Sequence, residues 1–353
     1  MTDYDVLIVG GGPAGLSAAL NLGRSLARVL VVDADRPRNA ATLNSHGFLT
    51  RDGVPPFELR RIAREELAAY PNVEIRSRVR VTGLAATHSG VTATDAELTA
   101  TDAGSAASDA GLTATNAGST ATRAGLTTTT QAGLPAGFRA EVGRREPTET
   151  VSARTVLLAT GLHETLPDVP DLRGFYGMSL FSCASCDAWE LRGRELALIG
   201  ETADLADRAR LIAHWTSRLT VFTHGSDAVT TAEEAELVAA GVGVVREPIE
   251  RLLGDRGRIE AVRVAGGETH TVDGGFVRPE WDAELSFLAG LAPDRDAAGH
   301  VLTDRSGRTS VPGLYAAGDV AAPGPQQLIV AAGAGARVAA VIMHDAIGVV
   351  TAH

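Results

Sequence analysis

The chain has 353 residues, 44% of them apolar and 21% charged, and a net charge of −11. That length accommodates two domains with a large buried core, and an acidic balance without a Lys/Arg stripe argues against a nucleic-acid partner. Two cysteines in the whole chain exclude a disulfide-stapled secreted scaffold and make a chemical role for the pair the better question.

Residues 1–5 pass directly into an apolar run with no basic segment or small-residue cleavage site, and no apolar stretch reaches the roughly 18–20 uninterrupted residues of a membrane span. The expectation is a cytoplasmic protein with no membrane partner. Residues 6–9 form a short apolar run ending in a glycine cluster, 14–26 have helical spacing, and 29–32 are a second run, in the order β–loop–α–β. A helix is predicted over 55–69 and a strand over 73–81. Five heptads then align between 95 and 129 (DAELTAT, DAGSAAS, DAGLTAT, NAGSTAT, RAGLTTT). At most one Leu per unit, a Gly in four of the five and many Thr oppose a coiled coil. This low-complexity insert reads as an expanded loop or elongated hairpin, weakly ordered or disordered, since Ala, Gly and Thr bury too little apolar surface to offset chain entropy.

Strands are predicted at 137–142 and 151–160. A second βαβ unit follows, with a strand at 195–200, a helix at 203–214 and a strand at 219–223, and strand-like segments at 243–247 and 259–264 complete it. Residues 272–277 lead back out, and the chain ends with a strand at 314–320 and an Ala-rich helix at 326–347. The fold class is α/β: two dinucleotide-binding, Rossmann-like three-layer domains, the second (175–271) inserted into the first (1–174 and 272–353).

Gly10, Gly12 and Gly15 make G-x-G-x-x-G between strand and helix, and Asp33 closes the next strand 18 residues later. Gly10 permits the tight turn, Gly12 lets backbone approach a pyrophosphate, Gly15 lets the helix pack on the strand, and Asp33 accepts from a ribose hydroxyl. Pro13 and Ala14, which open the helix, complete this candidate cofactor-binding set. The motif does not choose between FAD and NAD. Cys183-Ala184-Ser185-Cys186-Asp187 carries the most information. Cysteines at this spacing can close a small disulfide ring, and a low-pKa thiolate is a competent nucleophile. A zinc site needs two more ligands, and His163 and His214 lack ligand spacing. Two unreactive buried thiols are the remaining reading.

The stretch Gly313-Leu314-Tyr315-Ala316-Ala317-Gly318-Asp319 resembles the second FAD signature of flavoproteins with two dinucleotide domains. The resemblance puts Asp319 on the flavin ribityl chain, and the next helix points its positive end at the flavin. Thr160-Gly161 matches the Ala-Thr-Gly that ends the FAD-domain meander in such proteins. Gln326 and Gln327 are candidate flavin or substrate contacts, or simply a helix start. The order of motifs, with C-x-x-C-D at the entry to the second unit, resembles the low-molecular-weight thioredoxin reductases over nearly the whole chain outside the heptads. This implies bound FAD, Cys186 as the charge-transfer thiol against the flavin, Cys183 as the thiol that exchanges with substrate, Asp187 as acid–base, and a homodimer.

The chain departs from those reductases where NADPH should bind. In Gly200-Glu201-Thr202-Ala203-Asp204-Leu205, Thr202 replaces the glycine that meets the pyrophosphate, while Glu201 and Asp204 put negative charge near the phosphates. Val221-Phe222-Thr223-His224-Gly225 lacks the basic pair for a 2′-phosphate. Each change opposes binding by about 1 kcal/mol or more, so NADPH binding is expected to be weak or absent. The pattern is similar to the dithiol oxidases of gliotoxin, holomycin and romidepsin biosynthesis. That likeness implies a small-molecule dithiol as substrate, O2 as acceptor and H2O2 as product. The base for the substrate thiols would be Asp187 or His46, the latter in the loop Asn44-Ser45-His46-Gly47-Phe48, whose Asn44 is a further candidate cofactor contact; a lone loop histidine is otherwise structural or exposed. The other readings are a thioredoxin or disulfide reductase fed by ferredoxin or by an unorthodox NADPH site, and a flavin-binding redox sensor.

Overall fold

The structure, a computed structural model, describes residues 3–87, 137–288, 290–321 and 324–349; the heptads lie outside them. Strand β1 (Tyr4–Val9), helix α1 (Pro13–Arg24) and strand β2 (Val29–Asp33) follow the expected order. β2 is buried at every position, as a parallel strand covered on both faces must be. α1 stops short of the predicted residue 26 because Leu26 takes a left-handed conformation, φ 64°. Helix α2 (Pro56–Leu67) opens on proline with Glu58 in its first turn, which suits a helix start. The single strand expected over 73–81 is two, β3 (Val73–Ser77) and β4 (Arg80–Thr87). Arg78, at φ 62°, turns the chain between them, without the Gly or Pro that would have marked the break. β5 (Gly137–Gly143) and β6 (Pro147–Leu158) complete a sheet ordered β3-β2-β1-β6-β5-β4. The first half of β6 pairs antiparallel with β5 and the second half parallel with β1. Strand β7 (His163–Thr165) leads away from it.

The second unit contains β8 (Leu180–Phe181), α3 (Ala184–Leu191), β9 (Leu196–Gly200), α4 (Leu205–Ile212), β10 (Leu219–Phe222), α5 (Thr231–Ala239) and β11 (Gly243–Val245). Next come β12 (Ile249–Asp255), β13 (Arg258–Val264), β14 (Thr269–Thr271), β15 (Gly274–Arg278) and β16 (Glu280–Asp282). α5 was not anticipated, although Thr230 and Glu233 form a reciprocal capping box at its start. The parallel sheet runs β11-β10-β9-β15-β8, and β12-β13-β14 form an antiparallel sheet. β15 lies inside the parallel sheet, paired with β9 along its length and with β8. The boundary expected between 271 and 272 therefore moves beyond Arg278, because 272–277 is a buried strand of the inserted unit and not its exit. β16 makes the return, pairing antiparallel with β7, Trp281 opposite Glu164. This two-stranded ribbon connects the two units.

β17 (Leu314–Ala316) pairs with the end of β6; it stops before the predicted residue 320 because Gly318, at φ 79°, turns the chain. α6 (Leu328–Ala346) lies across α1, its Gly335 so close that a Cβ would come 2.0 Å from the Ala14 carbonyl oxygen. Among the described residues α6 is the one helix long and apolar enough to cross a membrane. One face of it is buried, Val338, Ala339, Val341 and Ile342 packing with the cluster that α1 also joins. Burial of each such aliphatic side chain contributes about 1.5–3 kcal/mol.

Candidate functional site

The glycine loop is built as its motif requires. Gly10 sits at φ 111°, donates its N–H to the Val32 carbonyl at 2.8 Å, and leaves no room for a side chain, since a Cβ would lie 2.2 Å from the Ala159 oxygen. A Cβ on Gly15 would lie 1.9 Å from the Gly10 oxygen, whereas one on Gly12 would meet nothing within 4 Å. The loop therefore opens outward at Gly12, at the end of α1 where Pro13 and Ala14 begin the helix and no side chain caps it. The first-turn N–H groups and the positive end of the helix remain free for an anion, which fits a pyrophosphate. Gly11, outside the motif, is also obligatory: a Cβ there would lie 2.5 Å from Asp33 Oδ2. Buried Asp33 accepts from the Asp35 N–H at 3.0 Å and from Arg64 at 2.6 Å. Arg64, on α2, carries no signal in the sequence.

Gly318 packs against Ala14 and so brings Asp319 beside the start of α1. Arg38 donates to Asp319 at 2.8 Å and to Gln326 at 3.1 Å. Arg38 was missed; it sits in a one-turn 3-10 segment after β2, where no motif marks it. Gln327 is the N-cap residue of α6. Thr160 and Gly161 follow β6 beside Gly10, with Gly161 at φ 67°, while Asn44 is exposed on its loop. The structure thus gathers Gly10, Gly12, Asp33, Gly161 and Asp319 around the β1–α1 turn.

Cys183 and Cys186 form a disulfide with Cα atoms 5.3 Å apart. Cys183 is the N-cap of α3, and its carbonyl accepts the N–H groups of Cys186 and Asp187. Cys186 consequently lies in the first helical turn, where the dipole favours a thiolate over a thiol. A cavity of about 130 Å³ reaches Cys183 and is lined also by Arg38, Arg208, Trp281, Gln326 and Gln327. The disulfide and the two glutamines therefore face one space. No group of three or more His, Cys, Asp or Glu among the described residues is arranged to hold a metal ion.

Asp187 is 8% exposed, and burial pushes its carboxyl up to about 7, with His46 working against the shift and Glu190 adding to it. His46 Nδ1 lies 3.5 Å from Asp52 and 3.9 Å from Glu190. The loop that carries it is closed by the Ser45 N–H donating to the Val54 carbonyl and the Gly53 N–H donating to the Ser45 carbonyl. The two candidate bases, 141 positions apart in the chain, are thus brought into one electrostatic cluster behind the disulfide.

In the inserted unit, Thr202 donates to Asp204 at 2.7 Å, Arg278 forms a two-point contact with it at 2.9 and 2.6 Å, and Arg208 donates at 3.3 Å. Burial raises the Asp204 carboxyl, but Arg278, Thr202 and Arg208 outweigh it and hold it at about 2. This corrects the sequence reading: the Asp204 charge is not free to repel phosphates but is paired with Arg278, Thr202 and Arg208 at the start of α4. Glu201 is exposed. His224, at φ 51°, accepts the Ile249 N–H on Nδ1 at 2.8 Å and so fastens the loop where a basic pair was sought.

Parallel strands that run into an uncapped glycine turn, and a second parallel sheet beside a helix that starts on a C-x-x-C disulfide, define a flavin-linked disulfide oxidoreductase. The chain belongs to the pyridine nucleotide-disulphide oxidoreductase family, whose profile matches residues 4–335, and it is an FAD-binding flavoprotein of thioredoxin-reductase-like fold. It is 28% identical over 226 residues to a probable thioredoxin reductase of Arthroderma benhamiae, covering 64% of this chain but only 44% of that protein. With the thioredoxin reductase sirT of Leptosphaeria maculans it shares 26% identity over 91% of this chain and 88% of the relative. The crystal structure of HlmI superposes with a TM-score of 0.79 at 28% identity, covering 99% of this chain and 95% of that one.

Proposed function

We propose that the protein is an FAD-dependent dithiol oxidase that closes a disulfide in a small-molecule dithiol through Cys183 and Cys186, with O2 as electron acceptor and H2O2 as product. The observation that carries this reading is the occupation of the second nucleotide loop by the protein itself. Asp204 takes the donors of Thr202, Arg208 and Arg278, leaving a dinucleotide reductant few partners, whereas the disulfide opens to a cavity.

The first substrate thiol gives its proton to the buried carboxylate of Asp187, and His46 stabilises the ionised form. The thiolate attacks Cys183 Sγ, forming a mixed disulfide and releasing Cys186 as a thiolate at the start of α3, where the helix dipole stabilises it. The second substrate thiol displaces Cys183 and passes its proton to the departing Cys183 sulfur, so the substrate leaves as a disulfide and both electrons stay on the cysteine pair. Bound FAD supplies the two-electron step that reoxidises the pair and delivers the electrons to O2, released with two protons as H2O2. Gly12 and the start of α1 would hold its pyrophosphate, Asp33 its ribose and Asp319 its ribityl chain.

The test is anaerobic. Dithiothreitol is expected to bleach the flavin absorbance while NADPH does not, and air should restore it with peroxide formed. Rapid bleaching by NADPH would overturn the proposal. A second reading, reduction of thioredoxin or a related disulfide with electrons from ferredoxin or NADPH, is favoured by the reductase relatives; turnover that required thioredoxin and produced no peroxide would establish it.

A further inference from the structure

Five side chains form a continuous line from the FAD-binding unit to the inserted one. Asp319 accepts from Arg38 at 2.8 Å; the Arg38 guanidinium lies 5.6 Å from the Trp281 ring centroid; the Arg278 guanidinium lies 4.2 Å from the same centroid; and Arg278 is held by Asp204 at 2.6 Å. Arg38 belongs to the first unit, Trp281 to the β7–β16 ribbon, and Arg278 and Asp204 to the second unit. The Trp281 indole N–H donates to Glu164 on the facing strand at 3.2 Å, which fixes the ring in the ribbon. Two carboxylates balance two guanidiniums; the side chains of Arg278, Asp319 and Arg38 are 15%, 20% and 21% exposed and that of Asp204 is 37% exposed, so water screens the line weakly except at its Asp204 end.

We propose that the second nucleotide loop now serves as a clamp: Asp204 and Arg278 are positioning residues that, through Trp281 and Arg38, hold the flavin-side groups Asp319 and Gln326 and the disulfide-bearing unit in one mutual arrangement. The line acts across the ribbon because each arginine is fixed at one end by a carboxylate and at the other meets the same ring. Neither unit can turn about the ribbon without giving up a cation–π contact. Arg38 and Trp281 also line the Cys183 cavity together with Gln326, so the orientation that the clamp holds is the one in which the disulfide shares a space with the flavin-side residues. Arginine suits the task where lysine does not, because a planar guanidinium can lie over a ring and donate to a carboxylate at once. The clamp rests on the proposed reading that no dinucleotide occupies this loop.

The test is hydrogen exchange on the FAD-loaded protein, read at both ends of the line. Asp204→Ala is expected to speed exchange by about tenfold not only around 202–208 but also in the ribbon (163–165, 280–282) and at 38–41, with flavin retained. Arg38→Lys should produce the reciprocal change around 202–208, because coupling between two sites acts equally in both directions. Trp281→Phe, which keeps a ring for both stacks, should restore most of the protection that Trp281→Ala loses. With a small dithiol, Asp204→Ala should lower kcat and leave KM nearly unchanged. Exchange changes confined to each variant's own loop, with the far end unaltered in both Asp204→Ala and Arg38→Lys, would overturn the clamp. The oxidase reading fails on a different observation, flavin bleaching by NADPH, so the two can be judged separately.

Discussion

His46 Nδ1 lies 3.9 Å from the Glu190 carboxylate, one turn of α3 beyond Asp187. The histidine therefore faces the acidic side of the helix whose first turn carries Cys186. Under the proposed function, the Asp187 carboxyl beside it, which burial has raised to about 7, would serve as the base that thiol chemistry at neutral pH needs, with its pKa near the working pH.

The first prediction concerns pH. Asp187 accepts a proton only when ionised, so kcat/KM for a small dithiol should rise through pH of about 7, with a further rise near ~8.5 as substrate thiols ionise by themselves. Asp187→Asn should remove the lower rise, keep the upper one, and reduce the rate at pH 7.5 by about 10²-fold. A variant profile superimposable on the parent's would show that the carboxyl is not the base.

A second prediction follows from the same burial and has the opposite sign for stability. The Asp187 proton is held at about 7 in the folded chain against ~3.9 in the unfolded one. Its contribution is fully present below the unfolded value and is lost as pH rises through the folded one. At pH 8 the buried ionised group costs at most about 4 kcal/mol. Asp187→Asn should therefore raise Tm at pH 8 and have little effect at pH 4, which thermal melts at the two pH values would check. Equal shifts at both would point to packing and not to charge.

The parts of this site that could be read in the sequence are those that lie close together in the chain. The glycine turn, the acid closing β2 and the C-x-x-C-D segment each occupy one local stretch, and each residue type is tied to a backbone requirement. Arg38 and Asp319 are separated by 281 positions and Arg278 and Asp204 by 74; an arginine in a loop carries no mark of the carboxylate that it will meet. The same blindness misplaced the domain boundary. β15 is apolar enough for either sheet, and only its pairing with β9 assigns it. Asp204 was legible as an acid in a phosphate loop, but its neutralisation required Arg278 from another strand.

The two cysteines should be separable. Cys183→Ser removes the sulfur that meets the cavity and is expected to lower dithiol turnover by on the order of 10³-fold or more while flavin content stays unchanged. Cys186→Ser should be equally inactive but should accumulate a mixed disulfide on Cys183 with a thiol reagent, detectable as added mass in the intact protein. Mass added instead to Cys186 in the Cys183→Ser protein, with none in the Cys186→Ser protein, would reverse the assigned roles.

The glycine turn allows folding and cofactor binding to be tested apart. Gly10 and Gly12 are two residues apart, yet a Cβ on the first would lie 2.2 Å from the Ala159 oxygen and one on the second would touch nothing within 4 Å. Gly10→Val must also adopt φ 111°, a conformation that a β-branched residue does not tolerate, and should yield little folded protein. Gly12→Val sits at an ordinary φ of −81° and should fold with near-parental Tm of the flavin-free form. Its side chain would then occupy the space through which a pyrophosphate reaches the first N–H groups of α1. The lost charge-assisted bonds should weaken FAD by about 10- to 100-fold, measured by flavin fluorescence on titrating the flavin-free protein. Unaltered FAD affinity in folded Gly12→Val would place the pyrophosphate elsewhere than at the start of α1.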